Sequence, residues 1–409
     1  MTVKVVFSEE EKWLIALLRA ALAKKEQEGR DSEEKADIVR LVALAKKHAV
    51  LPFLYDITRE DSRFAEQSSY IERESRQTVL QSYRLLFLTR YVVEKLTEQE
   101  IPVIVLKGVA TGGMYPVPEL RKSGDIDLLI PQGLEQKRLR AIMEKAGFSL
   151  SKEQHANHHI VFSTGAGINI EMHTMLAEPF AYRRINQAME KHIKECWEHL
   201  ERQNIMGVEL PILDKPFHAY ELLLHMLQHF VYAGFGLKLL CDWVVIWRQS
   251  WSVQERHLFT ELVTESGLER FTEAMTAVCL KYLGLEKESF AWQIPQDNKA
   301  DEVLREILDA EDFGKADVNR MVMMSGTGAM AYIREFHHQM HLNFPMVGRL
   351  FLLWPILWLV TLVRFLRNNR RVRKTSAGRV LKEAARRSRL MEELKLFHST
   401  KNSTKNEKC

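Results

Sequence analysis

The sequence predicts an α+β protein, in which a small mixed β-sheet core is flanked by N-terminal and C-terminal helical regions. Three observations support this prediction. Apolar residues recur at helical spacing over residues 8–98, and they do so again from Pro216 onward. Between these two regions, short apolar runs rich in β-branched residues alternate with glycine and proline, a pattern typical of strands and turns.

The composition is that of an ordinary globular protein. Of 409 residues, 46% are hydrophobic and 27% are charged, which suits two or three domains with a sizeable core. The net charge of +4 is too small to imply a nucleic-acid partner, although it does not exclude one. Four cysteines without C-x-x-C spacing argue against a disulfide framework and fit a reducing, cytoplasmic location. Acidic residues near the N-terminus predict that no signal peptide is present.

Three helices are predicted in the N-terminal region. Ser8 and Glu11 have the spacing of a capping box and predict the start of the first helix. Asp31 or Ser32 is expected to cap the second helix. The third helix is long and is predicted over residues 64–96, because apolar side chains recur along it at helical spacing.

The central region is predicted to begin with two strands that form a hairpin. Val103–Leu106 is a short, wholly apolar run, which is typical of a buried strand. Lys107 and Gly108 follow it, and a short helix is expected to continue to Tyr115. Asp125–Ile130 is the second predicted strand, and a proline ends it.

One helix and three further strands complete the predicted core. Leu134–Ala146 is amphipathic, and Gly147 is positioned to end the helix as its C-cap. His159–Ser163 and Ile168–His173 are predicted to form a β-hairpin across a glycine-containing turn. Val208–Leu213 is expected to be one more short strand.

The helical pattern returns after the core. Helices are predicted at 217–231, 237–249, 253–265 and 268–283. The chain is therefore expected to divide into five parts. These are an N-terminal helical region at 1–98, the core at 99–214, a helical domain at 215–345, apolar and basic helices at 346–397, and a disordered tail at 398–409.

Asp125 and Asp127 are the first candidates for chemistry. Alternate residues of a strand share a face, so both carboxylates point one way while Ile126 and Leu128 point into a core. Two adjacent carboxylates repel each other unless a cation lies between them, and Mg²⁺ prefers such oxygen ligands. Gly124 leaves room for a ligand to approach the backbone. The alternative is an edge strand with two solvated carboxylates, but the flanking residues are too apolar for an exposed edge.

Glu171 lies on a later predicted strand that also has an apolar stripe. Three carboxylates from adjacent strands could hold two metal ions, which would clamp the attacking and leaving oxygens of a phosphoryl transfer. By itself, Glu171 could equally be a surface residue at a strand end. His173 shares its face and could be a metal ligand, a partner of a ligand or a structural histidine, of which we favour the last.

Lys107 and Gly108 lie at a predicted strand-to-helix junction. A glycine there lets backbone amides face a phosphate group. The ammonium of Lys107 could add a point charge on a triphosphate. The pair is weak evidence alone, and its position shortly before Asp125 gives it meaning.

The run Leu106-Lys-Gly-Val-Ala, followed by Arg121-Lys-Ser-Gly-Asp-Ile-Asp-Leu-Leu-Ile, resembles a known family. It is similar to the uncharacterised bacterial nucleotidyltransferases of the polymerase-β-like superfamily. Their signature is a strand, a glycine-containing turn and helix, a strand with two aspartates, and a third carboxylate from a later strand. The resemblance implies that Asp125, Asp127 and Glu171 are catalytic and bind two Mg²⁺ ions, with an NTP as substrate.

One position departs from the wider superfamily. There, a serine or second glycine follows the glycine of the turn, and the serine contacts the triphosphate. Here Val109 stands at that position, so other groups would have to contact the nucleotide. The candidates are Lys107, the backbone of Gly108, Thr111, Arg121 and Ser123.

The resemblance extends into the helical region after the core. A leucine-rich segment carries His225 and His229, and an Asp242-Trp243 pair follows in the next predicted helix. Histidines four residues apart share a helix face and could bind a metal. A buried polar cluster that includes Asp242 is the interpretation we favour.

The predicted C-terminal helices have an unusual composition. Arg349 and Arg364 bracket fourteen uncharged residues that include Trp354, Pro355 and Trp358. This run is short for a membrane span, which needs about 20 apolar residues. Six basic residues fall within eleven positions directly after it, which suits a peripheral contact of residues 346–374 with an anionic membrane surface. A buried helix is an equal alternative, and an RNA-binding patch is a weaker one.

Together these residues predict a metal-dependent nucleotidyltransferase. The expected reaction moves a nucleoside monophosphate from an NTP to an acceptor hydroxyl or phosphate. A small molecule or sugar is favoured as acceptor, while proteins and RNA stay open. The alternative is a catalytically inactive binding protein with the same fold, which could also associate with a membrane, and Val109 is the best support for it.

Overall fold

The computed structural model describes most of the chain. It covers residues 5–23, 36–151, 159–180, 182–232, 234–295, 299–310, 329–344, 347 and 350–368. Three sequence predictions lie outside these ranges. They are the helix cap at Asp31 or Ser32, the basic residues beyond 368, and the tail at 398–409.

The N-terminal region is helical, as the sequence predicts. Its helices are α1 (Glu9–Ala23), α2 (Ile38–Lys47), α3 (Tyr55–Thr58) and α4 (Ala65–Thr97). The capping box of α1 is present, because Ser8 and Glu11 exchange hydrogen bonds between their side chains and backbone amides. The second helix is capped by Asp37, whose carboxylate accepts hydrogen bonds from two backbone amides of the first turn.

The central region forms a mixed sheet with three helices among its strands. In chain order the elements are β1 (Ile104–Leu106), α5 (Lys107–Gly112), β2 (Ile126–Leu129), α6 (Gln136–Lys145), β3 (Ser149–Leu150), β4 (His159–Ser163), β5 (Asn169–His173), α7 (Arg183–Glu195), β6 (Leu200–Ile205) and β7 (Val208–Leu213). The predicted strands and the predicted helix α6 are confirmed. Sequence analysis missed β3, α7 and β6. The strand β6 is mostly exposed and polar, so it lacks the apolar alternation that reveals a strand.

The predicted hairpin of β1 and β2 lies at the centre of the sheet. The strand order is β3-β4-β5-β2-β1-β7-β6. β1 pairs with β2 in antiparallel orientation, while β2 with β5 and β1 with β7 are parallel. The sheet is therefore mixed, and the whole molecule is α+β, as predicted.

In the described part of the chain, seven helices follow the sheet. They are α8 (Lys215–Tyr232), α9 (Leu237–Trp247), α10 (Val253–Ser266), α11 (Glu269–Tyr282), α12 (Ala300–Leu308), α13 (Ala329–Asn343) and α14 (Trp354–Asn368). The first four confirm the predicted helices to within about two residues at each end. Within the described ranges, no helix has the length and apolar character needed to cross a membrane.

The sheet separates two hydrophobic layers. Val105, Ile126 and Leu128 belong to a cluster with α4 and α6, whereas Leu106 and Leu129 belong to a larger cluster with the N-terminal helices and α8–α12. Successive strand residues point to opposite faces, so this division fixes the direction of every side chain in β1 and β2. Polar residues on the same face of the sheet as Leu129 must therefore point toward the helical layer.

The C-terminal helices α13 and α14 pack against each other. The rings of Trp354 and Trp358 contact His337 of α13, and the Trp358 indole donates a hydrogen bond to His337. The other side of α14 and the turn before it expose several large apolar residues. These are Leu350, Phe351, Leu352, Ile356 and Leu359, each between 58% and 77% exposed. The alternative prediction of a buried helix is therefore wrong for this described segment.

Candidate active site

The register of three adjacent strands brings the candidate carboxylates together. Asp127 of β2 is the direct partner of Leu106 in β1 and of Glu171 in β5. Lys107 follows Leu106, so a cation stands at the same end of the sheet as the two acids. Asp127 and Glu171 share the face opposite Leu128 and therefore point toward the helical layer.

Asp127, Glu171 and His173 form a compact group of possible metal ligands. One donor atom from each lies within 4.8 Å of the other two. His173 Nε2 lies 2.8 Å from Asp127 Oδ1 and 3.6 Å from Glu171 Oε2. Carboxylate oxygens and an imidazole nitrogen suit divalent cations such as Mg²⁺ or Mn²⁺. The residues present therefore fit a divalent metal, with His173 as a member that we had expected to be structural.

Asp125 lies in a bend immediately before β2 and is not a member of the compact group of Asp127, Glu171 and His173. Burial and the neighbouring Asp127 raise the pKa of Asp125, while Lys107 and Lys238 act in the opposite direction. Burial and Asp127 also raise the pKa of Glu171, against the effect of His173. The three predicted acids thus interact electrostatically, which is the property expected of carboxylates that share a cation.

Asp127 behaves differently from its two neighbours. Its side chain is only 8% exposed, and burial alone would raise its pKa. The ammonium of Lys107 and the hydrogen bond from His173 outweigh burial, so the pKa of Asp127 lies below its usual range. Asp127 is therefore the acid of the group that is held ionised.

Lys107 is a half-buried cation in the middle of this group. Its Nζ lies 3.6 Å from Asp127 Oδ1 and 3.8 Å from Glu221 Oε1 of α8. Burial lowers its pKa, but the surrounding carboxylates raise it more, so the ammonium stays charged. Its backbone has φ 40°, in the left-handed region that non-glycine residues rarely adopt. Such a strained residue persists only where its surroundings hold it in place.

The side chain of Arg121 holds the turn after Lys107 in place. The Arg121 guanidinium donates to the carbonyl of Gly108 at 3.0 Å and to Ser123 Oγ at 2.7 Å. A Cβ placed on Gly108 would lie 3.6 Å from the carbonyl oxygen of Asp125, so the turn packs closely against the second strand. Arg121 and Ser123 therefore shape the turn, and their predicted contact with a nucleotide stays a prediction.

Arg121 also forms a buried ion pair with Asp242 of α9. Its Nε and Nη2 donate to the two carboxylate oxygens at 2.7 and 2.8 Å, and Asp242 is fully buried. Tyr115 donates a further hydrogen bond to Asp242 at 2.6 Å. Asp242 does belong to a buried polar cluster, but both of its oxygens are bound by Arg121 and Tyr115 rather than by the histidine pair that we expected.

Val109, which departs from the superfamily pattern, and the candidate Thr111 both lie in α5. Val109 packs against the cluster formed by the sheet, α4 and α6, on the far side from Asp127. Thr111 Oγ1 lies 2.9 Å from His218 Nε2 of α8, and both residues are buried. Thr111 therefore links the turn to α8, whereas the ammonium of Lys107 lies beside Asp127.

Sequence analysis missed two charged residues that face the site. Glu221 of α8 is 1% exposed, and burial raises its pKa to about 8 although Lys107 opposes the shift. Lys238 of α9 is also buried and acts on Asp125. The available signal was a charged residue inside a largely apolar helical stretch, because a buried charge must face a polar partner.

His225 and His229 lie one and two turns after Glu221, on the same face of α8. Their rings stack edge to face, with centroids 4.4 Å apart. Burial lowers the pKa of His229 to about 3 and the pKa of His225 well below its ordinary value, so both rings are neutral. Together with Glu221 they form a polar stripe on α8.

A cavity of about 150 Å³ lies between the polar stripe of α8 and the end of β5. Its lining residues are Lys107, Glu171, His173, Met175, Leu176, Ala177, Glu178, His225, Gln228 and His229. The cavity therefore opens onto the candidate metal group from the side of the helical layer. It offers both hydrogen-bonding and apolar surface to a small ligand.

The mixed sheet, with two acids in register beside a strand-to-helix turn, is the arrangement of a nucleotidyltransferase-type protein. The family model described as "uncharacterised nucleotidyltransferase" matches residues 34–284, more than half of the chain. The chain belongs to this family. The matched region runs from α2 to α11 and includes the acids and the polar stripe of α8.

The other comparisons are less informative about this protein. The crystal structure of an antigenic nucleotidyltransferase-like protein from Paracoccidioides brasiliensis is 13% identical, with a TM-score of 0.30. The similarity covers 49% of this chain and 93% of that one, and it is too distant to inform the site. No curated protein matches the chain.

Proposed function

We propose that this protein is a metal-dependent nucleotidyltransferase that transfers a nucleoside monophosphate from an NTP to an acceptor. The observation that carries the proposal is the register of Asp127 with Glu171, which places two acids and His173 within ligand distance of one another. Membership in a nucleotidyltransferase family supports the same reaction class. From the sequence resemblance we further propose that the protein belongs to the polymerase-β-like superfamily and comes from a bacterium. We also propose that it lies in the cytoplasm.

In the proposed reaction, an oxygen of the acceptor attacks the α-phosphorus of the NTP. The bond from this phosphorus to the oxygen bridging to the β-phosphate breaks, and pyrophosphate leaves. A divalent metal, Mg²⁺ in our proposal, would neutralise charge on the phosphates, as in other phosphoryl transfers. Asp125, Asp127 and Glu171 are the residues that would hold it, and the three acids suit two ions.

The other residues of the site have roles that follow from their positions. Lys107 presents a permanent positive charge beside Asp127, which suits the negative charge of a triphosphate. Glu171 is less buried than Asp127, and burial and Asp127 raise its pKa. We propose that Glu171 accepts the proton of the acceptor hydroxyl, because a carboxylate with a raised pKa is the better general base.

The cavity between α8 and β5 is the proposed acceptor site. It adjoins Glu171, and its volume of about 150 Å³ suits a single small group rather than a large substrate. The neutral rings of His225 and His229 can donate and accept hydrogen bonds, which favours a hydroxyl-bearing acceptor such as a small molecule or sugar.

Labelling with radioactive nucleotides tests the proposal. The protein is incubated with Mg²⁺, cell extract and each of the four NTPs labelled at the α-phosphate. We expect transfer of label that falls by at least about 100-fold in Asp127→Asn, because the held anionic ligand is lost. Glu144→Gln is the matched control, since it removes an equivalent charge from the exposed face of α6. Equal labelling by wild type and Asp127→Asn would refute the assignment.

The alternative is a catalytically inactive binding protein, which the valine of the turn favours. Calorimetry with Mg²⁺ and each NTP distinguishes the two proposals. Binding without transfer of label would support the alternative, whereas binding with transfer supports the enzyme. An absence of Mg²⁺-dependent NTP binding at millimolar concentration would contradict the enzyme.

A second proposal concerns the exposed apolar surface of α14 and the turn before it. We propose that it lies on an anionic membrane surface. Exposed contiguous apolar patches mark interaction sites, and Arg364 borders this one while further arginines follow in the sequence. Tryptophan anchoring, which the sequence suggested, is less direct, because Trp354 and Trp358 contact His337.

Vesicle flotation tests the membrane proposal. We expect the full chain to float with vesicles that contain phosphatidylglycerol and not with pure phosphatidylcholine. Leu352→Glu should abolish flotation, because it places a charge on the most exposed residue of the surface. Failure to float with either vesicle, or a shift of oligomeric state in Leu352→Glu instead, would contradict the proposal.

A further inference from the structure

The ammonium of Lys107 lies between two carboxylates that belong to different parts of the fold. On one side is Asp127 of the sheet, at 3.6 Å, and on the other is Glu221 of α8, at 3.8 Å. Neither distance is that of a short hydrogen-bonded ion pair, which would be 2.7–2.9 Å. The ammonium is therefore shared between two acceptors and is closely bonded to neither.

Glu221 has features that a purely structural acid would lack. It is almost completely buried, and its Oε1 has no hydrogen-bond partner among the described residues. A buried carboxylate oxygen without a hydrogen bond is costly. The nearest described cation is Lys107, so a small movement of this ammonium would satisfy Glu221.

Asp127 lies beside the same ammonium and is also a proposed ligand of the metal. As a member of the proposed metal group, Asp127 cannot keep a lysine ammonium close and also bind a divalent cation, because the two cations repel each other. Entry of a metal therefore requires that Lys107 move away from Asp127. The backbone of Lys107, with its φ of 40°, is held in place by its surroundings. The flexible side chain must therefore make the movement.

We propose that Lys107 is an internal counter-cation of the metal group and that Glu221 is the positioning residue that receives it when a divalent metal binds. The inference deepens the proposed function and rests on it for the metal group. Without metal, Lys107 neutralises the acids and lets them pack together. With metal, the ammonium moves toward Glu221 and stays at the edge of the cleft, where it can meet a phosphate.

Binding of Mn²⁺ alone, measured by calorimetry or electron paramagnetic resonance, tests this inference without a substrate. We expect Lys107→Met to bind Mn²⁺ about tenfold more tightly than wild type, because the competing cation is gone. Glu221→Gln is expected to bind about tenfold more weakly, because Lys107 is then held at Asp127. All variants are compared at one pH, well to the alkaline side of the Glu221 pKa, which burial raises to about 8.

The double variant separates positioning from simple loss of charge. If Glu221 acts through Lys107, Glu221→Gln has no further effect in the Lys107→Met background. If Glu221 only contributes negative charge, the two effects add, and this outcome would overturn the inference. Glu144→Gln serves as the remote control, since it removes an equivalent carboxylate from α6.

The results also separate the inference from the proposed function. Unchanged Mn²⁺ affinity in Lys107→Met overturns the inference while leaving the metal group in place. An absence of Mn²⁺ binding in every variant overturns both. Circular dichroism of each variant confirms the fold, and Lys107→Arg, which keeps the charge, should restore weaker binding.

Discussion

The buried ion pair between Arg121 and Asp242 is expected to be one of the strongest single contributions to stability near the site. Arg121 donates four hydrogen bonds, two to Asp242, one to the Gly108 carbonyl and one to Ser123. The change Arg121→Met keeps much of the side-chain volume and removes all four. Among the described residues, the fully buried side chain of Asp242 then retains the hydrogen bond from Tyr115 alone.

The magnitude follows from the cost of leaving a buried charge without its partner. Removal of one member of such a pair typically costs about 3–5 kcal/mol, whereas replacement of both members by apolar residues can be nearly neutral. Asp242 is fully buried, and both of its carboxylate oxygens accept hydrogen bonds. We therefore expect Arg121→Met to lower the free energy of unfolding by about 4 kcal/mol. The double variant Arg121→Met/Asp242→Leu should lose less than the sum of the two single changes.

Urea unfolding followed by tryptophan fluorescence measures these losses, because Trp243 lies next to Asp242 in α9. The matched control is Arg90→Met, which breaks an exposed ion pair with Glu94 on α4 and should cost no more than about 0.5 kcal/mol. A loss below about 1 kcal/mol in Arg121→Met, or strict additivity in the double variant, would refute the reasoning.

Three further predictions concern a buried histidine, a possible ligand and a helix cap. Burial lowers the pKa of His218 to about 4, so the folded protein excludes a proton that the unfolded chain binds, and the free energy of unfolding falls as pH drops from about 6.5 to about 4. In His218→Gln, pH-dependent unfolding should show a slope lower by up to about 1.4 kcal/mol per pH unit, whereas the exposed His257→Gln should match wild type. His173→Ala should weaken Mn²⁺ binding by about 10- to 100-fold in calorimetry, and an unchanged affinity would assign His173 to structure alone. Ser252→Ala removes the capping box of α10 and should cost about 1 kcal/mol in urea unfolding, with no loss expected if the cap were irrelevant.

Much of the fold follows from local patterns. The long helix α4 and the helices α8–α11 are amphipathic or wholly apolar over many residues, and such patterns predict helices. The strands β1 and β2 were recognisable because their apolar runs are short and bounded by proline or glycine. The strand β6 was not, because a polar strand at the edge of a sheet is stabilised by its partner β7 and not by burial of its own side chains.

The candidate site was predicted only in part. Alternation along a strand predicted that Asp125 and Asp127 share a face, but only Asp127 lies within β2, whereas Asp125 lies in the bend before it. The neighbour of Asp127 depended on the pairing of β2 with β5 across 44 residues of sequence, which alternation alone does not specify. Arg121 shows the same limit, since its partner Asp242 lies 121 residues away.

By itself, the sequence determined the mixed sheet, the surrounding helices, the direction of Asp127 and the resemblance to a nucleotidyltransferase family. These features depend on periodicity and on short motifs, which are local properties of the chain. Only the tertiary structure brought Glu221 to Lys107 and left one face of α14 exposed. A contact between a turn and a helix more than 100 residues later arises from packing of the helical layer on the sheet, and no local pattern encodes it.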